Sequence, residues 1–306
     1  MATGTGGERE IVECVPNFSE GRRPEVVDAI VAAIVGAGAV KVLDRETDAN
    51  HHRAVVTFAG AIGEVEKAAF AGAATARELI DLNGHKGEHP RMGATDVLPF
   101  VPVRGVTMES CVALARRVGR RIGGELEIPV FFYEEAATRP ERRNLADVRS
   151  GEFEGLREKI GSDPARLPDF GPPRIHPTAG AIAVGARFFL VAYNVNLKSD
   201  DVKLAKSIAR QIRERDGGMK SVKALGFFLE DRRIAQVSMN LTNYNVTSIE
   251  AAYGAIEGIA RAAGVEILES ELVGLAPRAA LPPGVAERVK LAGFDPKKQV
   301  LEELLR

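Results

Sequence analysis

No apolar run in the 306-residue chain reaches the roughly 18 residues a membrane-spanning helix needs. Charge of one sign is equally absent. Against 42 acidic residues stand 41 lysines and arginines, a formal net charge of −1, which implies neither a nucleic acid nor a membrane as partner. Cysteine is reduced to Cys14 and Cys111, both in apolar settings. Two isolated cysteines make neither a disulfide framework nor a zinc site, and they read as buried thiols. The opening MATGTGGERE is glycine-rich and acidic rather than apolar. That excludes a signal peptide and predicts a disordered lead-in over 1–10. A soluble, cytoplasmic protein is expected. No GxGxxG follows the first predicted strand, so a dinucleotide-binding unit is not indicated.

What is present is an apolar content of 45%, enough for a substantial core. The length suits one large domain or two of about 150 residues. Hydrophobic periodicity predicts strands over 11–15, 40–44, 54–58, 97–103 and 127–133, and helices over 24–35, 62–82 and 108–122. Ser19 or Pro24 is expected to start the first helix and Thr107 the third. A charged, proline-containing crossover follows over 134–179, with a short helix near 151–160. Forty-six residues is long for a loop, which points to a functional segment packed against a cleft. The pattern then restarts. Residues 181–192 read as one long strand or a strand pair, with further strands over 222–229 and 233–240, a closing strand over 265–269 or 270–273, and helices over 202–215 and 248–263. Two short helices, 284–291 and 297–305, close the chain. An α/β protein is predicted, with two similar β-α-β-β-α-β sandwich subdomains over 11–179 and 180–306.

Polar chemistry concentrates in NGHKGEHPRMGATDVLPF, residues 83–100. Its glycines and Pro90 argue against a long helix. They predict a rigid loop with His89 and Arg91 at the surface of a cleft and Asp96 entering a buried strand. Imidazole moves protons near neutral pH, so His89 is a candidate general base; its rival role is ordering the loop. HKGEH spaces two histidines as HExxH does, but Gly87 and Pro90 break the helix that motif requires, and no metal is expected. His51 and His52 precede Arg53. With Asp44, Glu46 and Asp48 they form a mixed-charge rim, either a solvated loop or a place where a carboxylate steadies a cationic amidine. His176 is followed by a run of small residues that includes Gly180, where a ligand can approach backbone N–H groups. Arg187 is a candidate anion anchor, and structural packing of a tight crossover is the alternative for this stretch. Asn194 and Asn196, with Asn240 and Asn243, stand beside predicted strand ends. They suit a flat heterocycle such as a pterin, or plain turn-capping.

The stretches VECVPNFSEG (12–21), GHKGEHPRMGATDVLPFVPV (84–103), HPTAGAIAVGAR (176–187), AYNVNL (192–197), NLTNYNVT (240–247) and ELVGLAP (271–277) closely resemble the formiminotransferase domain of glutamate formiminotransferases. The likeness runs from residue 11 to the tail. It implies two α/β subdomains of ferredoxin-like order with a folate-binding groove between them. It also implies transfer of a formimino group from N-formimino-L-glutamate to tetrahydrofolate, a step of histidine catabolism and one-carbon metabolism, with tetrahydrofolate as co-substrate. His89 matches the family's catalytic base. Asp44 or Glu46 would orient the amidine, and Arg53, Arg91 and Arg187 would meet carboxylates. A homodimer is expected, and the polyglutamylated acceptor is a possible substrate form. The larger family members add a cyclodeaminase domain; this chain ends at Arg306, so it is expected to be monofunctional and to need a separate cyclodeaminase. The family often has asparagine where this chain has His52. Related enzymes use N-formylglutamate as donor, and that alternative stays open, as does a non-catalytic folate-binding protein.

Overall fold

The computed structural model describes residues 10–306, so the lead-in expected over 1–10 lies, apart from Glu10, outside the described residues. Two compact units meet in sequence between Arg187 and Phe188. Each has its own apolar core.

The first unit runs β1 (Ile11–Cys14), β2 (Asn17–Phe18), α1 (Pro24–Ala37), β3 (Lys41–Asp48), β4 (Arg53–Gly60), α2 (Ile62–Leu79), β5 (Thr95–Arg104), α3 (Met108–Glu125), β6 (Val130–Glu134), α4 (Leu145–Val148), α5 (Glu152–Lys159) and β7 (Ile182–Ala186). Strands β1 and β2 share one position in the sheet, both antiparallel to β4 and β5. The break falls at Pro16, which has no N–H for the ladder, although its carbonyl still accepts from Val56 N at 3.1 Å. On one side β4 carries β3; on the other, β5, β7 and β6 run parallel. Helices α1 to α3 cover one face, where the alanine stripe of α2 lets helix and sheet approach closely. The crossover covers the other face: Val148, Leu156 and Ile160 pack on Val97, Phe131 and Tyr133. Burial on both faces is why β6 reads VFFYE rather than alternating.

Three local expectations are corrected. Residues 181–192 do not open the second half. They split into β7, paired in parallel with both β5 and β6, and β8 (Val191–Leu197), which belongs to the second sheet. An interior strand cannot leave its sheet, so the boundary expected at 179/180 moves to 187/188. The first half of the polar stretch 45–52 is strand, because β3 continues to Asp48 in register with β4, and the turn is confined to 49–52. Ser19 does not start α1: its hydroxyl donates to Gly93 O at 2.7 Å, while Pro24 takes the first helical position.

In the second unit β8 is followed by α6 (Val202–Ile212), β9 (Val222–Leu229), β10 (Ile234–Leu241), α7 (Ile249–Ala262) and β11 (Ile267–Val273), the expected β-α-β-β-α-β order. The antiparallel sheet is ordered β11–β8–β10–β9. Asp201 and Ser248 cap α6 and α7. Alternation along β8 and β10 turns Tyr193, Val195, Val237 and Met239 into the core and puts Asn194, Asn196, Ser238 and Asn240 on the opposite face. Short helices α8 (Val285–Arg288), α9 (Pro296–Gln299) and α10 (Leu301–Leu304) form the tail. No helix among the described residues is long and apolar enough to cross a membrane.

Candidate active site

His89 lies in the loop between α2 and β5, and the segment 176–181 holds both ends of that loop. Leu82 N donates to Thr178 O, Ala94 N to Ala179 O, and Ala181 N to Met92 O, each at 2.9 Å. Such close backbone approach requires glycine. Gly180 has φ +72°, and a Cβ there would sit 2.3 Å from Met92 O; a Cβ at Gly93 would sit 1.8 Å from Ala181 O. His176 closes the same turn. Its Nδ1 accepts from Ala179 N at 3.0 Å, and Arg77 Nε lies 3.3 Å from its Nε2. Burial, and then the charge of Arg77, holds the His176 imidazole below its ordinary value.

Beneath the loop the rings of His52 and His85 stack at 4.1 Å. His85 Nε2 donates to His52 O at 2.9 Å, and its Nδ1 accepts from Arg91 Nε at 3.2 Å, which fixes its tautomer. Arg91 was expected at the surface but is 9% exposed. The reason is α5: the guanidinium donates to Glu152 at 3.0 Å and to Glu154 at 2.6 Å. Buried Glu20 faces His52 Nε2 at 3.2 Å. Burial pushes the Glu20 carboxyl up, but the N–H groups of Arg22 and Arg23 and the Arg23 guanidinium outweigh it and leave the group below its ordinary value.

Arg53 Nη1 lies 2.9 Å from His89 Nε2. A guanidinium only donates, so Nε2 carries the lone pair and the ring N–H is left for the Pro90 carbonyl. Burial, then the charges of Arg53 and Arg149, push the His89 imidazole down to about 4. The ring is therefore neutral at pH 7, the form a general base needs. Arg53 Nη2 donates to Asn17 Oδ1. Arg149, just after α4, pairs with buried Asp96, whose other oxygen accepts from Met92 N at 2.8 Å. His89, Arg53, Asp96, His51 and Ser19 line one small polar cavity. On β3, Asp44 and Glu46 stand opposite Thr57 and Val55 of β4. Desolvation, and then Asp44, raises the Glu46 carboxyl, while Arg53 acts against that.

The structure thus brings His89, Arg53 and Arg91 to one cavity and gives His176 and Gly180 the frame of its loop, while Asp44 and Glu46 stand on β3 outside the cavity lining, with the Arg53 charge reaching Glu46. Arg187 follows β7, with its N–H donating to Phe100 O at 3.1 Å and its charge acting on buried Glu13. Asn194, Asn196 and Asn240 share a face of the second unit's sheet. The Asn196 amide is engaged there, donating to Glu271 at 2.7 Å and accepting from Gln236 at 2.9 Å. Asn243 accepts from Asn245 N at 3.1 Å, a turn cap. Sequence reasoning missed Asn17, Glu20 and Arg149. The first two stand in PNFSEG, a polar break after a strand that carried a usable signal; Arg149 carried none. Among the described residues no group of three or more His, Cys, Asp or Glu is placed to hold a metal ion.

Family models match both units: the N-terminal subdomain of the formiminotransferase domain over residues 11–187, and the formiminotransferase domain over residues 192–286. The chain is 48% identical over 296 residues to the glutamate formimidoyltransferase of Streptococcus pyogenes serotype M1, covering 97% of this chain and 99% of that protein. It is 50% identical over 287 residues to the glutamate formimidoyltransferase of Thermoplasma acidophilum, covering 93% and 94%. Against the formimidoyltransferase-cyclodeaminase of Rattus norvegicus it is 40% identical over 325 residues, covering 97% of this chain and 60% of the rat protein. With both units matched and the likeness extending almost end to end, the chain belongs to the formiminotransferase domain family.

Proposed function

We propose that the protein is a glutamate formimidoyltransferase, moving the formimino group of N-formimino-L-glutamate to N5 of tetrahydrofolate to give 5-formiminotetrahydrofolate and L-glutamate. The observation that carries this is a neutral imidazole, His89, whose Nε2 lone pair meets Arg53 in a polar cavity, in a chain of this family. Tetrahydrofolate is the co-substrate. Its N5 attacks the formimino carbon, and His89 takes the N5 proton as the new C–N bond forms. The tetrahedral intermediate then breaks its C–N bond to glutamate, and His89 returns the proton to the departing nitrogen. An imidazole of low proton affinity returns that proton readily but accepts it weakly. Positioning of the two substrates therefore has to add to the base. It is worth about 7–11 kcal/mol at the ideal limit, against about 10²–10⁴-fold for a general base.

Asp44 and Glu46 orient the cationic amidine in this scheme, and Arg187 meets a carboxylate of the folate tail. Asn194 and Asn240 offer amides to the pterin. His176 and Gly180 keep the His89 loop in place. The subdomains follow a ferredoxin-like order, as the resemblance implies, and the chain works as a homodimer. Incubating the purified protein with tetrahydrofolate and N-formiminoglutamate, and following 5-formiminotetrahydrofolate by absorbance, tests the proposal. Transfer is expected, and faster than from N-formylglutamate. No transfer from the formimino donor overturns it.

A further inference from the structure

Two guanidinium N–H groups around His89 are buried with nothing to accept from them. Nε of Arg53 and Nε of Arg149 are both shielded and without a hydrogen-bond partner. An unsatisfied buried donor costs about 1–3 kcal/mol, and more when charged. The other contacts of these arginines hold them in place: Arg53 on Asn17 and His89, Arg149 on Asp96. Burial, and then the charge of Arg149, lowers the Arg53 guanidinium; Asp96, Glu46 and Asp48 act against this without overcoming it. Arg91, which lines a cavity with Arg53, is different. Glu152, Glu154 and His85 already take up its donors.

We propose that Arg53 and Arg149 form the subsite for a carboxylate of the amino-acid donor, and that docking there frees the His89 Nε2 lone pair from Arg53. The donor's identity rests on the formimidoyltransferase reading; the anion subsite does not. As the chain stands, the lone pair needed for the N5 proton is occupied by Arg53 Nη1 at 2.9 Å, so the base is masked. A carboxylate competes for that guanidinium through charge-assisted bonds, which are roughly twice as strong as neutral ones. It also cancels positive charge beside the ring. The charged and titratable groups that face His89 are Arg53 from β4, Arg149 from the crossover, and His51 from the β3–β4 turn, itself bonded to Asp48 at 2.7 Å. Asp96, His52, His85 and Arg91 line the same cavity. The two arginines are the charges acting most strongly on the imidazole. An anion between them therefore raises the ring's proton affinity, and donor binding switches on the base where tetrahydrofolate alone does not.

L-glutamate, the leaving product, is the probe, because it carries the carboxylates and no formimino group. The His89 ring is titrated by NMR in the full chain with and without L-glutamate. Its pKa is expected to rise by about one unit or more on binding, and by less in Arg149→Gln. A titration that L-glutamate does not move overturns the proposal. In turnover, Arg149→Gln is expected to raise the donor KM about 10–100-fold, the loss of charge-assisted hydrogen bonds, and to leave the tetrahydrofolate KM unchanged. An unchanged donor KM overturns the subsite. Should Arg149→Gln lose its circular dichroism, Arg149→Lys carries the same comparison, since it keeps the charge and loses the fork. Wild-type protein without formimino transfer would instead overturn the functional proposal, and the glutamate titration would still decide the subsite.

Discussion

At the scale of single residues, neighbours set the proton affinity of His89. Burial and two guanidiniums hold the unliganded ring at about 4. The pH dependence of kcat/KM reports the free enzyme, so its acid limb is expected near that value, well below the ordinary histidine range, with the kcat limb at higher pH. A kcat/KM limb near 6.5 would show that the arginine charges do not reach the ring. The same shift enters stability. The folded-state value lies below the unfolded one, so the contribution of neutral His89 is present above about 6.5 and is lost as pH falls toward about 4. Glu13 has the opposite sign. Burial, against the charge of Arg187, raises its carboxyl from 4.5 to about 7, so its contribution is present below 4.5 and lost as pH rises through 7. Thermal melts of Glu13→Gln are therefore expected to gain on the wild type between about pH 5 and about pH 8, and a constant difference would contradict this. His89 was legible because glycines and Pro90 surround it in an otherwise periodic chain. Arg149 was not. Nothing local separates it from the other arginines of the crossover, and only the fold brings it to Asp96.

At the scale of elements, the turn 176–181 and the His89 loop stand as one construction. Their backbones touch through Gly93 and Gly180, leaving no room for a Cβ on either. Gly180→Ala combines a left-handed backbone with a clash on Met92 O. It is expected to cost about 1–3 kcal/mol in urea denaturation and to lower kcat although His89 is intact. A variant of wild-type stability and turnover would detach this turn from the site. Helices α2 and α3 were readable because their apolar residues recur at helical spacing. The passage from β7 to β8 was misread for the converse reason. Residues 181–192 are small or apolar almost throughout, and the parallel partners that claim β7, namely β5 and β6, are distant in sequence. Gly185 lies inside β7, where a Cβ would meet the Tyr133 ring at 2.5 Å.

At the scale of the whole molecule, two separate cores predict two units of cooperative stability. Ile208 is fully buried in the second core. Ile208→Ala is expected to cost that unit about 2–5 kcal/mol. Amide exchange should accelerate across 188–306 and stay unchanged across 10–187; uniform acceleration would mean one cooperative block. The β-α-β-β-α-β order of the second unit was visible in the sequence because its periods alternate locally, whereas the division at 187/188 depends on which sheet captures β7. The decisive measurement is single-turnover transfer from N-formiminoglutamate to tetrahydrofolate by His89→Gln, with both substrates saturating and the fold verified by circular dichroism. Proton acceptance by His89 requires the rate to fall about 10²–10⁴-fold; a rate equal to that of the wild type would contradict it.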